Sequence, residues 1–210
     1  MTQTKMAEDV TGLILSGGRG ARMGNDDKGL QLLDGVPLAQ RVLARLAPQV
    51  GHAAISANRN IAEYETLCVP VWPDDMPGYA GPLAGLHAGL ARCKALYDTR
   101  YLATVPCDSP FLPQDLIERL MQALISRHAD LAFAVTDGEG NGEPPHAHPV
   151  FALMRADLLP ELTAYLQDGG RKVRAWQATQ NSVAVHFPDS AAFRNINSRD
   201  DLRALEGVRA

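Results

Sequence analysis

An apolar run, Val10 to Leu15, breaks without transition into Ser16-Gly17-Gly18, and little bulk follows it. Arg19, Gly20, Arg22, Gly24 and Lys28 come next, with Met23 the one large apolar side chain among them. A buried strand that ends in a glycine-rich, three-times-cationic loop lets backbone N–H groups approach an anion. Glycine removes the Cβ atoms that would hold a phosphate away and permits the dihedrals such a turn needs. Arg19, Arg22 and Lys28 supply neutralising charge. The junction therefore predicts phosphate binding. It is not the dinucleotide fingerprint G-x-G-x-x-G, because Met23 stands where the third glycine belongs. It is not a Walker loop either, since Lys28 is preceded by Asp27 and followed by Gly29. A solvated turn is the plain reading of any glycine-rich loop, but the spacing here is more particular. Gly17-Gly18, three residues, Arg22-Met23-Gly24, three residues and Lys28 space glycine and cation at fixed intervals along the loop.

Beyond the loop, strand and helix patterns alternate. Val10–Leu15 reads as a first strand. Pro37 suits the first position of a helix whose apolar stripe is Leu38, Val42, Leu43 and Leu46. Residues 52–57 read as a strand, 61–67 as a short helix and 69–72 as a third strand. Residues 74–82 form a loop by any turn criterion. Leu83, Leu86, Leu90 and Leu96 mark a long helix. Residues 101–105 form a fourth strand, and 113–126 a helix with Leu116, Leu120, Met121 and Leu124 facing inward. This alternation implies an α/β fold: a Rossmann-like, doubly wound, mostly parallel sheet flanked by helices. Ligands of such sheets bind outside the carboxyl ends of the strands. The loops 16–28, 74–82 and 106–113 all follow strands, so all converge on one edge.

The second half is less regular. Residues 130–135 and 150–154 read as strands, and 156–166 as a helix burying Leu158, Leu159, Leu162 and Leu166. Residues 136–149, TDGEGNGEPPHAHP, are expected to be irregular and mobile. Residues 171–176 suggest a helix and 182–187 a strand. Ser198 with Asp201 three residues on forms a capping box for a last helix. No repeat or linker divides the chain. The expectation is a flexible tail over 1–9 and one domain over 10–210, with a nucleotide-binding half (10–113) and an acceptor-side half (114–210).

Asp108 follows the apolar strand and is framed by Pro106 and Pro110. A carboxylate fixed there suits Mg²⁺, a hard cation that takes one or two protein carboxylates and keeps water and phosphate as its other ligands. Asp-Ser-Pro is equally good turn chemistry, and the residues alone leave the two readings level. His146 and His148 could share one strand face and hold zinc, yet no third ligand lies near them in sequence. A loop histidine bonded to backbone is the expected state. No Ser-His-Asp arrangement is legible.

In the order of these motifs, from Gly12 to about Leu205, the chain resembles the molybdenum cofactor guanylyltransferases. Leu15-Ser16-Gly17-Gly18 stands where the family usually has L-A-G-G. Arg22-Met23-Gly24, Lys28, Gly81-Pro82-Leu83-Ala84-Gly85, Pro106-Cys107-Asp108-Ser109-Pro110, His148-Pro149 and Asn195-Ile196-Asn197 match as well. The resemblance implies transfer of GMP from GTP to the phosphate of Mo-molybdopterin, with release of pyrophosphate. It implies Mg²⁺ on Asp108, and Arg22, Lys28 and Asp108 as the catalytic set. Leu15, Ser16, Gly17, Gly18, Lys28, Ser56, Asp74 and Asp108 would contact nucleotide, with Asn195 and Asn197 on the acceptor or beside the metal. The family often carries asparagine where this chain has Ser56, which leaves the base and ribose contacts open, because a hydroxyl lacks the amide's paired donor and acceptor. A phosphate monoester, with its second pKa roughly 6, attacks without a base to deprotonate it. The alternatives are a cytidylyltransferase, a sugar-phosphate nucleotidyltransferase and a non-catalytic cofactor carrier.

Composition excludes other classes. At 210 residues with 46% hydrophobic and 21% charged side chains, the chain can bury a substantial core. A net charge of −4 argues against nucleic-acid and membrane-surface partners. No apolar run approaches the ~20 residues that span a bilayer. Residues 1–9 lack the apolar segment of a secretory signal, and Cys68, Cys93 and Cys107 are odd in number and scattered. A cytoplasmic enzyme with reduced thiols is expected; the family resemblance further implies other proteins of molybdenum cofactor synthesis and client molybdoenzymes as partners.

Overall fold

The computed structural model describes residues 7–16, 27–76, 81–138 and 143–205. In chain order the elements are β1 (Val10–Leu15), β2 (Leu32–Leu33), β3 (Val36–Pro37), α1 (Leu38–Leu46), β4 (His52–Ser56), α2 (Ile61–Glu65), β5 (Val71–Trp72) and α3 (Pro82–Tyr97). There follow β6 (Tyr101–Pro106), α4 (Leu116–Ser126), β7 (Leu131–Thr136), β8 (His146–Arg155), α5 (Leu159–Gln167), α6 (Val173–Gln177), β9 (Ser182–His186) and α7 (Arg199–Leu205). Seven strands form one sheet in the order β5-β4-β1-β6-β8-β7-β9. Pairing is parallel from β5 through β6 and between β7 and β9, while β8 runs antiparallel to both its neighbours. The sheet is thus mostly parallel, as expected.

Side-chain alternation explains why both faces are covered. Along β1, Val10 and Ile14 enter one core with Val42 and Leu46 of α1 and Leu116 and Leu120 of α4. Leu13 points the other way, into a core with Leu86 and Leu90 of α3, Leu162 of α5 and Trp176 of α6. Strands buried on both faces carry near-continuous apolar runs, as LIL and YLATV do here. Helix α3 lies close to the sheet because two glycines face it. A Cβ on Gly89 would stand 2.5 Å from Leu13 Cδ2, and one on Gly85 2.4 Å from Ser56 Oγ.

Three expectations change. Residues 146–149 are strand, not irregular: β8 begins at His146, and Ala134 pairs with His148. Pro149 falls where the register with β7 shifts between Phe133 and Ala134, a break that relieves proline of ladder bonding. The chain between β7 and β8 is shorter than the dozen or so residues a parallel crossover needs, so β8 turns back antiparallel. Second, Pro37 precedes its helix and pairs with Leu32 across a hairpin turned by Asp34-Gly35, both at positive φ. Asp-Gly is the dipeptide such a two-residue turn demands. Third, Leu159 is only partly buried, whereas Leu158, Leu162 and Leu166 are buried. The capping box forms as expected. Asp201 N–H donates to Ser198 Oγ at 3.1 Å, and Ser198 N–H to Asp201 Oδ2 at 3.0 Å.

Candidate active site

Register sets the site. Leu15 pairs with Ser56 on one side and Pro106 on the other, and Ser56 with Trp72, so four parallel strands end level. The backbone ladder continues past them. Ser16 N–H donates to the Ser56 carbonyl at 2.9 Å, Ala57 N–H to Trp72 at 3.1 Å and Cys107 N–H to Leu15 at 3.2 Å. The residues after each strand are therefore held by the sheet itself. Leu15 and Ser16 lie on this edge with Ser16 buried. Gly17, Gly18 and Arg22, with Arg19 and Gly24, lie outside the described residues.

Lys28, Asp108 and Asn197 meet here. The Lys28 ammonium donates to Asp108 Oδ2 at 3.1 Å and to Asn197 Oδ1 at 2.6 Å. Asp108 is largely buried, its side chain 10% exposed, while that of Lys28 is 28% exposed. The C-terminal segment is fixed to the same strand end, since Ile196 N–H donates to the Asp108 carbonyl at 2.8 Å. Beside it, the buried Ser109 hydroxyl donates to Asn195 Oδ1 at 2.6 Å. Asn197 thus turns to the cation and Asn195 to the strand-end serine. Asp108 both lies in a turn and faces a positive charge, so the turn and site readings of this residue are compatible.

A second cluster lies beyond β5. Asn58 donates through Nδ2 to Asp74 Oδ2 and accepts from Asp74 N–H through Oδ1, both at 2.8 Å. Burial raises the Asp74 carboxyl above the usual range, and the Asn58 hydrogen bond opposes that rise. Next to it, Arg92 of α3 grips Asp75 with two nitrogens at 2.6 and 2.7 Å. Ser56 is buried with its hydroxyl against Gly85 of α3. Its carbonyl, not its side chain, takes part in the edge described above.

His148 is not a loop histidine. It sits in β8, its Nε2 2.9 Å from Thr136 Oγ1, stacked on Phe193 at 4.7 Å and beside His146 at 4.8 Å. Burial, then the neighbouring His146, lowers its pKa to about 4. Among the described residues no third His, Cys, Asp or Glu joins the pair in a group that could hold a metal. Burial and the adjacent Asp108 charge push the Cys107 thiol up to about 12, leaving it neutral and inert.

Sequence reasoning passed over Asp27, Tyr64 and Ser109. Asp27 accepts from Gly29 N–H at 3.2 Å and from the buried Tyr64 hydroxyl at 2.5 Å. The Asp-Lys-Gly order was its signal, because Asp bonding the backbone two residues on is common turn chemistry. Tyr64 carried none, and Ser109 only its place in the motif from Pro106 to Pro110.

The donor set fits a magnesium ion bound with phosphate. Among the described residues the side-chain acceptors bonded to the Lys28 ammonium are hard oxygens, and the one carboxylate among them leaves room for phosphate and water. The place is one the fold already assigns to positive charge.

Comparison with known proteins is consistent along the chain. Residues 12–183 match the model of the MobA-like NTP transferase domain. A molybdenum cofactor guanylyltransferase of Bordetella petrii is 53% identical over 197 residues, covering 94% of this chain and 97% of the relative. Molybdopterin-guanine dinucleotide biosynthesis protein A from Archaeoglobus fulgidus superposes with a TM-score of 0.69 at 24% identity, over 94% and 97% of the two chains. The 4-diphosphocytidyl-2C-methyl-D-erythritol synthase of Anaerococcus prevotii gives 0.71 at 12% identity, over 93% and 95%. These two structures share the fold.

Proposed function

Because this chain belongs to the molybdenum cofactor guanylyltransferases, within the MobA-like NTP transferases, we propose that it transfers GMP from GTP to the phosphate of Mo-molybdopterin. A phosphate oxygen of the acceptor forms a bond to the α-phosphorus of GTP, the α–β bridging bond breaks, and pyrophosphate leaves. The product is the guanine dinucleotide form of the cofactor. The observation that carries this reading is the Lys28 ammonium set between Asp108 and Asn197, at the carboxyl ends of four parallel strands. It brings the base of the glycine-rich loop, the strand-end carboxylate and the acceptor-side segment to one point.

The reaction asks mainly for alignment and for positive charge where oxygens gather negative charge. Lys28 and Arg22 supply that charge in this reading. Leu15, Ser16, Gly17 and Gly18 offer backbone groups to the nucleotide. Asp74, held by Asn58, faces the guanine nucleotide, and the Ser56 carbonyl fixes Ser16 at the same edge. Asn195 and Asn197 receive the acceptor. Mg²⁺ would be held by Asp108, with the Asn197 amide oxygen beside it, and supplies charge neutralisation on the phosphates. No general base is needed, and none of the histidines takes that part. A cytoplasmic setting is supported by three free cysteines, two of them buried. No described helix is long and apolar enough to cross a membrane.

The test is to supply Mg²⁺, Mo-molybdopterin and GTP, and to measure pyrophosphate and the dinucleotide. Stoichiometric release with dinucleotide formation is expected. Tight nucleotide binding without pyrophosphate would instead indicate a carrier.

A further inference from the structure

We propose that Asp27 is a positioning residue for the transfer reaction: held by Tyr64 and Asn60, it fixes the turn that presents Lys28 to Asp108 and Asn197. The inference rests on the function proposed above and concerns the same site. Lys28 opens a short 3-10 turn, Lys28–Leu30, and Asp27 is its cap. Asp27 is 9% exposed and both its oxygens are engaged. Oδ1 accepts from Gly29 N–H at 3.2 Å and Tyr64 Oη at 2.5 Å, and Oδ2 from Asn60 Nδ2 at 3.2 Å.

Two features suggest more than an ordinary cap. Tyr64 is fully buried in the β4–β5 crossover, and it reaches the carboxylate only because residue 29 is glycine. A Cβ there would stand 2.4 Å from the tyrosine oxygen. Asn60, in the left-handed region at φ 51, spends its amide on Asp27 and makes no side-chain cap to its own helix α2. The crossover thus grips the end of the phosphate loop. The second feature concerns charge. A carboxylate next in sequence to a lysine is a ready competitor for its ammonium, but three donors already satisfy this one. The ammonium instead bonds Asp108 and Asn197. A long lysine side chain has many rotamers, and fixing the backbone beneath it narrows where its charge can lie.

The test uses the full chain with Asp27→Asn and Tyr64→Phe, each alone and on a Lys28→Ala background. Asp27→Asn places an amide nitrogen among three donors, and Tyr64→Phe removes one donor without changing the ring. Asp27→Asn is expected to lower kcat about tenfold or more while KM for GTP moves by less than about threefold, with Tyr64→Phe intermediate. On the Lys28→Ala background neither should cost more than about twofold, because the device acts through the absent ammonium. Equal losses with and without Lys28, or wild-type kcat in both single variants, would overturn the inference. If Asp27→Asn does not fold, Tyr64→Phe and Asn60→Ala carry the same comparison. A second readout is independent of turnover: the rate at which Lys28 is reductively methylated, followed by mass spectrometry. It should rise in the variants as the ammonium is released, and an unchanged rate counts against the proposal. If the wild-type protein releases no pyrophosphate while the variants still show this rise, the functional reading is defeated and the positioning stands.

Discussion

One ammonium group, that of Lys28, bonds two residues 80 and 169 positions away in sequence, and the candidate site is built around those two bonds. If Asp108 holds the metal, Asp108→Asn should preserve the fold while cutting Mg²⁺-dependent turnover about a hundredfold, since it removes charge at nearly constant volume. Steady-state rates across a Mg²⁺ titration check this, and near-normal activity at limiting Mg²⁺ would refute it. Lys28→Ala and Arg22→Ala should lower kcat more than they raise KM for GTP, and Arg22→Lys should also be costly where bidentate phosphate contact is needed. Arg19→Ala should be the mildest of the three alanine variants; finding it the most damaging would contradict the order assigned here. His148 gives a prediction for stability. Its folded pKa of about 4 lies below the ordinary value of 6.5, so between these values the unfolded chain binds the extra proton. Its contribution is present above pH 6.5 and is lost as pH falls through 4. In His148→Gln, the difference in urea-unfolding free energy between pH 7 and pH 5 should therefore shrink relative to wild type.

At the scale of elements, α3 shows how a helix sets the depth of the site. Its first turns can lie against the ends of β1 and β4 because Gly85 and Gly89 present no side chain to Leu13, Leu15 and Ser56. Gly85→Ala would press a methyl against the short, buried Ser56, costing about 1–3 kcal/mol of stability. KM for GTP should rise too, and thermal unfolding together with steady-state kinetics tests both; an unchanged Tm and KM would show that α3 has slack. The parallel half was legible because its strands are apolar on both faces and its loops carry glycine, proline and aspartate at the strand ends. Asp108 and Lys28 could be singled out for that reason, as could the Ser198–Asp201 box. The first part of β8, from His146 to Pro149, was not legible. Its pairing comes from β7 and a register shift, and local composition contains neither. The bonds of Tyr64 and Ser109 were not legible for a similar reason: their partners, Asp27 and Asn195, are 37 and 86 positions away.

The molecule as a whole divides its work along the sheet. At or just past the ends of the parallel strands β5-β4-β1-β6 stand Asp74, Ser56, Ser16 and Asp108, while the segment after β9 returns to bring Asn195 and Asn197 to the same edge. Substitutions at Asp74 should therefore act on GTP, and those at Asn195 or Asn197 on the pterin acceptor. The choice of base belongs to this scale, because the fold does not make it: a protein named for cytidyl chemistry superposes as well as one named for guanine. Size discriminates weakly between bases, whereas a hydrogen-bonding group left unmet in a buried site discriminates by orders of magnitude. Asp74 is suited to that task. Its carboxylate is partly desolvated and accepts from the Asn58 amide, whose oxygen in turn takes the Asp74 backbone N–H; in the proposed reading it would accept from guanine N1–H and the exocyclic amine. Adenine reverses the pattern at the six position, and cytosine presents a shorter edge with a different order of groups. Turnover should thus be much faster with GTP than with CTP, and ATP should be rejected. Pyrophosphate release measured with each triphosphate in turn, at fixed Mg²⁺ and Mo-molybdopterin, tests this. The same series in Asp74→Asn should narrow the ratio of GTP to CTP by about tenfold or more if the carboxylate reads the base. CTP outpacing GTP in the wild type would overturn the guanine assignment while leaving nucleotidyl transfer in place. An unchanged ratio in Asp74→Asn would move base selection to the backbone of Leu15 and Ser16.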